Sequence, residues 1–133
     1  MLRYAQKLAI SQNFSPVFVR LNGASIALCY DANCTQPVRP PSNENSGSAA
    51  TLAACNNNRQ WSCEAPPAGI TYAADRAMPL TFYFDALGKP FTFDAGATPP
   101  SSAFAQPLTI TITGDGMSRQ IIVERETGHV HRP

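Results

Sequence analysis

The sequence predicts an α+β domain in which one N-terminal helix packs on antiparallel β-sheet. Three observations carry this expectation. Apolar residues recur at three- and four-residue spacing only ahead of Pro16. Period-two alternation governs most of the remainder, and the connections between alternating runs are short enough for antiparallel neighbours. Apolar residues make up 44% of the 133 and charged residues 14%, so the whole of residues 1–133 reads as a single domain with a real core rather than a disordered chain. The net charge of +1, with no lysine or arginine cluster, excludes a nucleic-acid footprint. No run approaches the roughly 20 apolar residues of a membrane span, and no secretory signal pattern opens the chain.

Residues 1–13 read as the end of a helix. Leu2, Ala5, Leu8 and Ala9 share a face, separated by Arg3, Gln6, Lys7 and Gln12. No serine, threonine or aspartate caps the start, so the periodic pattern begins in its middle, as it would in a helix cut from something longer. A Leu8→Ala change is expected to destabilise the domain clearly.

After Pro16 the period becomes two. Val17 and Val19 alternate with Phe18 and Arg20, and Asn22-Gly23 predicts a two-residue hairpin turn. On the returning strand Ile26, Leu28 and Tyr30 share one face, Ala27 and Cys29 the other. Residues 35–67 lose all periodicity and form a long Cys-bearing loop rich in proline, with one or two helical turns possible after Ala49. The rest is a run of short strands: Ile70 and Tyr72, then Leu80 to Phe84, then Phe91 and Phe93. Leu108 to Thr113 shows the clearest alternation, Arg119 to Arg125 returns, and His129-Val130 is a final stub. Turns fall at Gly88, at Gly114-Asp115-Gly116 and at Thr127-Gly128.

The four cysteines, Cys29, Cys34, Cys55 and Cys63, fit an oxidising compartment better than a zinc site, whose ligand pairs are usually spaced two to four apart. Three disulfide pairings are possible. Cys29–Cys34 with Cys55–Cys63 is the local one, because residues 30–33 can turn the chain back. No metal and no cofactor is expected.

No catalytic constellation is visible, and the chain is expected not to be an enzyme. His129 and His131 share a strand face but have no carboxylate close in sequence. Asp85 and Asp94 follow aromatic strands and read as turn residues. Asn13-Phe14-Ser15 and Asn33-Cys34-Thr35 match the glycosylation triplet, a common chance pattern. Arg59 and Trp61, bracketed by Cys55 and Cys63, are candidate recognition residues of the loop; the plainer reading packs Trp61 over a crosslink.

The order of features resembles a known family. Leu2-Arg-Tyr-Ala-Gln-Lys-Leu-Ala-Ile-Ser-Gln followed by Pro16-Val-Phe-Val is similar to the helix-to-first-strand passage of the GspH/FimT group of type IV pilin-like proteins. Leu80-Thr-Phe-Tyr-Phe-Asp-Ala-Leu-Gly-Lys-Pro90 resembles that group's strand and Phe-Asp-x-x-Gly-x-Pro turn. Ile121-Ile-Val-Glu-Arg-Glu-Thr-Gly-His-Val130 resembles its closing hairpin. The wording from Phe84 to Pro90 is most like the MSHA-type minor pilins. The likeness covers both ends and the middle but not residues 35–67. It implies a pilin-like headgroup whose apolar N-terminal helix, preceded by a leader, would anchor the subunit in the bacterial inner membrane and pack in a filament core. It also implies other pilin or pseudopilin subunits as partners, a place in a type IV pilus or type II secretion pseudopilus, and a periplasmic or extracellular headgroup. The alternative is an adhesive or ligand-binding module that uses the loop 35–67.

Overall fold

The computed structural model describes residues 1–12 and 16–133. The elements run α1 (Leu2–Gln12), β1 (Val17–Leu21), β2 (Ile26–Cys29), α2 (Ala49–Ala54), β3 (Cys63–Glu64), β4 (Thr71–Ala74), β5 (Leu80–Phe84), β6 (Pro90–Phe93), β7 (Ser101–Ala103), β8 (Leu108–Gly114), β9 (Met117–Val123) and β10 (Val130–His131). Two antiparallel sheets result, one ordered β3-β2-β1-β5-β6-β7 and one ordered β10-β9-β8-β4. The helix on antiparallel sheet is the arrangement the sequence predicts.

Alternation decides which side chains meet α1. Val17, Val19 and Leu21 of β1, Leu28 of β2, and Leu80, Phe82 and Phe84 of β5 form one apolar face. Leu2, Ala5 and Ala9 of α1 bury against it. The alanines are small, so the helix lies close to β1 and β5. Leu108, Ile110, Val123 and Val130 bring the second sheet to the same core, and Phe104 joins it from the connection between β7 and β8. Burying side chains of this size contributes about 1.5–3 kcal/mol each, and Phe82 stacks edge-on with both Phe84 and Phe104. Leu8 is only half-buried, so its truncation should cost less than that of a fully enclosed leucine.

Two features differ from the sequence expectation, and one lies partly outside the described residues. The helix is described to Gln12; Asn13, with its glycosylation triplet, lies outside the described residues. The first hairpin does not turn on Asn22-Gly23. Its register pairs Leu21 with Ile26, and Asn22 N–H donates to Ser25 O at 3.0 Å, so Gly23 and Ala24 make the turn. Asn22 instead accepts from the N–H groups of Ala24 and Ser25 on Oδ1, both at 2.8 Å, the local role that suits a short amide side chain. Residues 35–67 are also less irregular than composition implies, since they contain α2 and β3. β3 adds to β2 through Ile26↔Glu64 and Ala27↔Cys63. Two residues are too few to show alternation, and only the β2 edge makes them a strand. The same holds for β7, where serine and alanine pair with Phe91 to Phe93.

Candidate functional site

Two turns meet beneath α1. In the first, Asp85 Oδ1 accepts from the N–H groups of Leu87 and Lys89, both at 2.9 Å, and Gly88 takes φ 80°, a conformation glycine adopts without steric cost. In the second, Gly128 takes φ 67° and its N–H donates to Glu124 O at 2.9 Å. A Cβ on Gly128 would collide with the Gly88 carbonyl oxygen, and one on Gly88 would press on Ile10 of α1, so Gly128 lets the two turns touch and Gly88 lets the helix lie on them. Gln6 of α1 spans the junction, its Nε2 donating to Thr127 O at 2.8 Å and Gly88 O at 3.4 Å. Arg3 Nε donates to Val130 O at 2.9 Å. The helix is thereby tied to a turn of each sheet and to the closing strand.

The Cys-bearing segment is a second surface, built differently. Cys29 is joined to Cys34 and Cys55 to Cys63, the local pairing. Asp31 caps the first knuckle, with Oδ2 accepting from the N–H and hydroxyl of Thr35 and Oδ1 from Gln36 N–H; these bonds hold its carboxyl below the usual carboxylate range. Glu64 gathers the rest: its carboxylate accepts from Ser46 N–H, from the Ser46 hydroxyl at 2.7 Å and from the Thr51 hydroxyl at 2.9 Å. Thr51 is fully buried and also accepts from Ala65 N–H. Ser48 caps α2 by accepting from Thr51 N–H at 3.1 Å. Tyr4 of α1 reaches this region through its hydroxyl, which donates to Arg39 O.

The two recognition candidates in this segment separate. Trp61 packs against Ala27, Cys55 and Cys63, and its Nε1–H donates to Leu28 O at 2.9 Å. Its polar atom is used inside the fold, as the plainer sequence reading has it. Arg59 is exposed and lies over Gly47, leaving a cation on the outer surface.

At the first turn of α1 an apolar groove of about 450 Å³ opens between the sheets. Leu21 and Ile26 line it from one sheet, Tyr72, Ile110, Ile112 and Ile121 from the other, with Arg3, His131 and Arg132 at its edge. No sequence signal marked this groove, because its walls come from five separate strands. His131 lies beside it with both ring nitrogens facing acceptors: Nε2 at 2.7 Å from Glu124 Oε1 and Nδ1 at 2.9 Å from Arg132 O. Only the imidazolium donates from both nitrogens, and the bond to Glu124 is the main reason its pKa is raised above the ordinary histidine value. His129 stacks on His131 at 5.4 Å. The carboxylate that neighbouring sequence lacked is thus supplied across the closing hairpin. Among the described residues, no group of three His, Cys, Asp or Glu side chains is arranged to hold a metal.

No protein-family model matches the chain, and no curated protein matches it. A solved structure does. The crystal structure of the type IV minor pilin FimU of Pseudomonas aeruginosa matches with a TM-score of 0.54 at 18% identity, over 100% of this chain and 84% of that one. The chain has a pilin-like fold. Within that fold the two motif turns at 84–90 and 121–130, far apart in sequence, are the pair that meets beneath the helix at Gly88 and Gly128. Among the described residues no helix is long and apolar enough to cross a membrane.

Proposed function

We propose that this chain is the headgroup of a minor pilin or pseudopilin, a structural and non-enzymatic subunit of a filament on the bacterial envelope. The observation that carries the reading is the match to a type IV minor pilin over the entire chain, joined to an α1 that is tied to both sheets by Gln6 and Arg3. A helix fixed in this way transmits position from whatever precedes it to the sheets. In this reading the preceding segment is an apolar helix anchored in the inner membrane, its partners are other pilin subunits, and the headgroup faces the periplasm or the exterior. The wording from Phe84 to Pro90 resembles MSHA-type minor pilins, and the filament is a type IV pilus or a type II secretion pseudopilus.

The test is fractionation of the epitope-tagged product of the whole gene in its own host. The expected result is protein in the inner-membrane fraction and in sheared filaments, with filaments reduced on deletion. Protein found only as a soluble periplasmic species, with normal filaments on deletion, would refute the reading.

A second reading makes the segment 35–67 an adhesive surface. It is supported by the two crosslinks and the Glu64 cluster, which hold that surface in place with Arg59 exposed on it. Deleting residues 43–48 is a poor test, because Asn45 and Ser46 hold the segment together. Arg59→Glu leaves those bonds in place, and lost attachment with normal filaments would favour adhesion.

A further inference from the structure

β4 is the edge of the four-stranded sheet, and its register fixes where its peptide groups point. Asp75 N–H donates to Thr109 O at 3.0 Å, in step with the pairs Ala73↔Thr111 and Thr71↔Thr113. Antiparallel strands alternate hydrogen-bonded and non-bonded pairs. The N–H and C=O groups of Tyr72 and Ala74 therefore point away from β8, toward an edge that no strand occupies among the described residues.

Exposed edges are normally blunted by charge, proline or extreme shortness. β10 and β3 have only two residues each, and β7 follows Pro99 and Pro100. β4, Thr-Tyr-Ala-Ala, has four residues and none of these protections. It also adjoins the apolar groove, since Tyr72 is both an edge residue and a groove wall, next to Ile112 of β8. Arg3 and Arg132 bring two cations to the groove, while His131 beside them is paired with Glu124 at 2.7 Å.

We propose that β4 and the groove beside it accept an extended peptide segment of a partner chain by strand addition. Its main chain pairs with Tyr72 and Ala74, its alternate apolar side chains enter the groove, and a carboxylate meets the Arg3 and Arg132 edge. An acyl chain would use the groove and the cations, but only a peptide uses the outward N–H and C=O groups. The site goes beyond the filament reading and does not depend on it, because it needs only the edge, the groove and the charge.

The probes are an acetylated heptapeptide that alternates threonine and valine and ends in glutamate, its lysine-ended counterpart, and decanoate, each titrated into ¹⁵N-labelled protein. The glutamate peptide should shift the amides of Tyr72, Ala74 and Ile112 with a dissociation constant of about 0.1–1 mM, and the lysine peptide should bind more weakly. Ala74→Pro removes an N–H that β8 does not use, a position where an edge strand tolerates proline. It should keep the β8–β9 amides unchanged and weaken the peptide by about tenfold. Arg132→Glu should reverse the preference between the two peptides. Equal peptide binding by a folded Ala74→Pro protein would overturn the proposal, as would shifts confined to other strands. So would no binding at about 5 mM peptide, or decanoate filling the groove while neither peptide binds. Should Ala74→Pro fail to fold, the Arg132→Glu reversal decides, and an unchanged preference overturns it.

Discussion

The helix-bearing core and the Cys-bearing segment lie in one molecule but are held by opposite means. Around α1 the buried side chains are nearly all apolar, from Leu2 and Ala5 to Phe82, Phe84 and Val130, and the polar ties are few. The Cys-bearing segment sends Val38 into that core, but its own apolar cluster is small, two cysteines with parts of Ala54 and Trp61 packed on Ala27 of β2. Side-chain hydrogen bonds and two disulfides replace the missing burial there. A segment with five prolines between 37 and 67 cannot extend a regular ladder, so it satisfies its peptide groups locally. Burial resists any solvent that keeps apolar surface costly, whereas the segment depends on redox state and on individual hydroxyls.

The largest test of that contrast is Phe82→Ala. Removing a fully buried ring should cost about 3–5 kcal/mol, read as a lower urea midpoint for the whole domain and unchanged by reductant. Next comes the pair Cys55→Ala with Cys63→Ala, expected to cost about 2–4 kcal/mol. Hydrogen exchange should locate that loss, with amides between 45 and 64 losing protection while β8 and β9 keep theirs. Equal loss in both places would erase the distinction between the two regions.

Thr51→Val sharpens it further. The change keeps shape but takes the hydroxyl from Ala65 N–H and Glu64, and leaving a buried donor unmatched costs about 1–3 kcal/mol. The smallest effects are in pH. Asp31 has a lowered folded pKa, so its contribution is present above the unfolded value and is lost as pH falls below about 3.8 through the folded one. His131 has a raised folded pKa, so its contribution is complete below about 6.5 and is lost as pH rises through the folded value. Thermal melts should show one decline in strong acid from Asp31 and another in mild alkali from His131. Asp31→Asn and His131→Gln should each remove one slope and leave the other.

Legibility followed the same divide. The apolar face of α1, the two faces of β1 and β2, and the β8–β9 hairpin could be read because alternation and helical spacing repeat over several residues. The turn glycines were equally visible, since only glycine takes φ near 80° without strain. What was not visible came from distant residues in short pieces. β3 and β7 have no pattern of their own and exist because β2 and β6 offer edges. The role of Asn22 shifted by one residue because its side chain, rather than its backbone, organises the turn. The packing of Trp61 over a crosslink could be read from the sequence, but its indole partner, Leu28 O, could not.

By itself the sequence determined an α+β domain with a helix face of Leu2, Ala5, Leu8 and Ala9, and it marked Gly88 and Gly128 as turn positions. Periodicity and backbone conformation are local properties, written in neighbouring residues. Only the tertiary structure decided that those two turns touch under Gln6, that Glu64 gathers Ser46 and Thr51, and that an apolar groove adjoins the open edge of β4. Those contacts join residues up to 121 positions apart, and chain separation of that size leaves no trace in any sequence window.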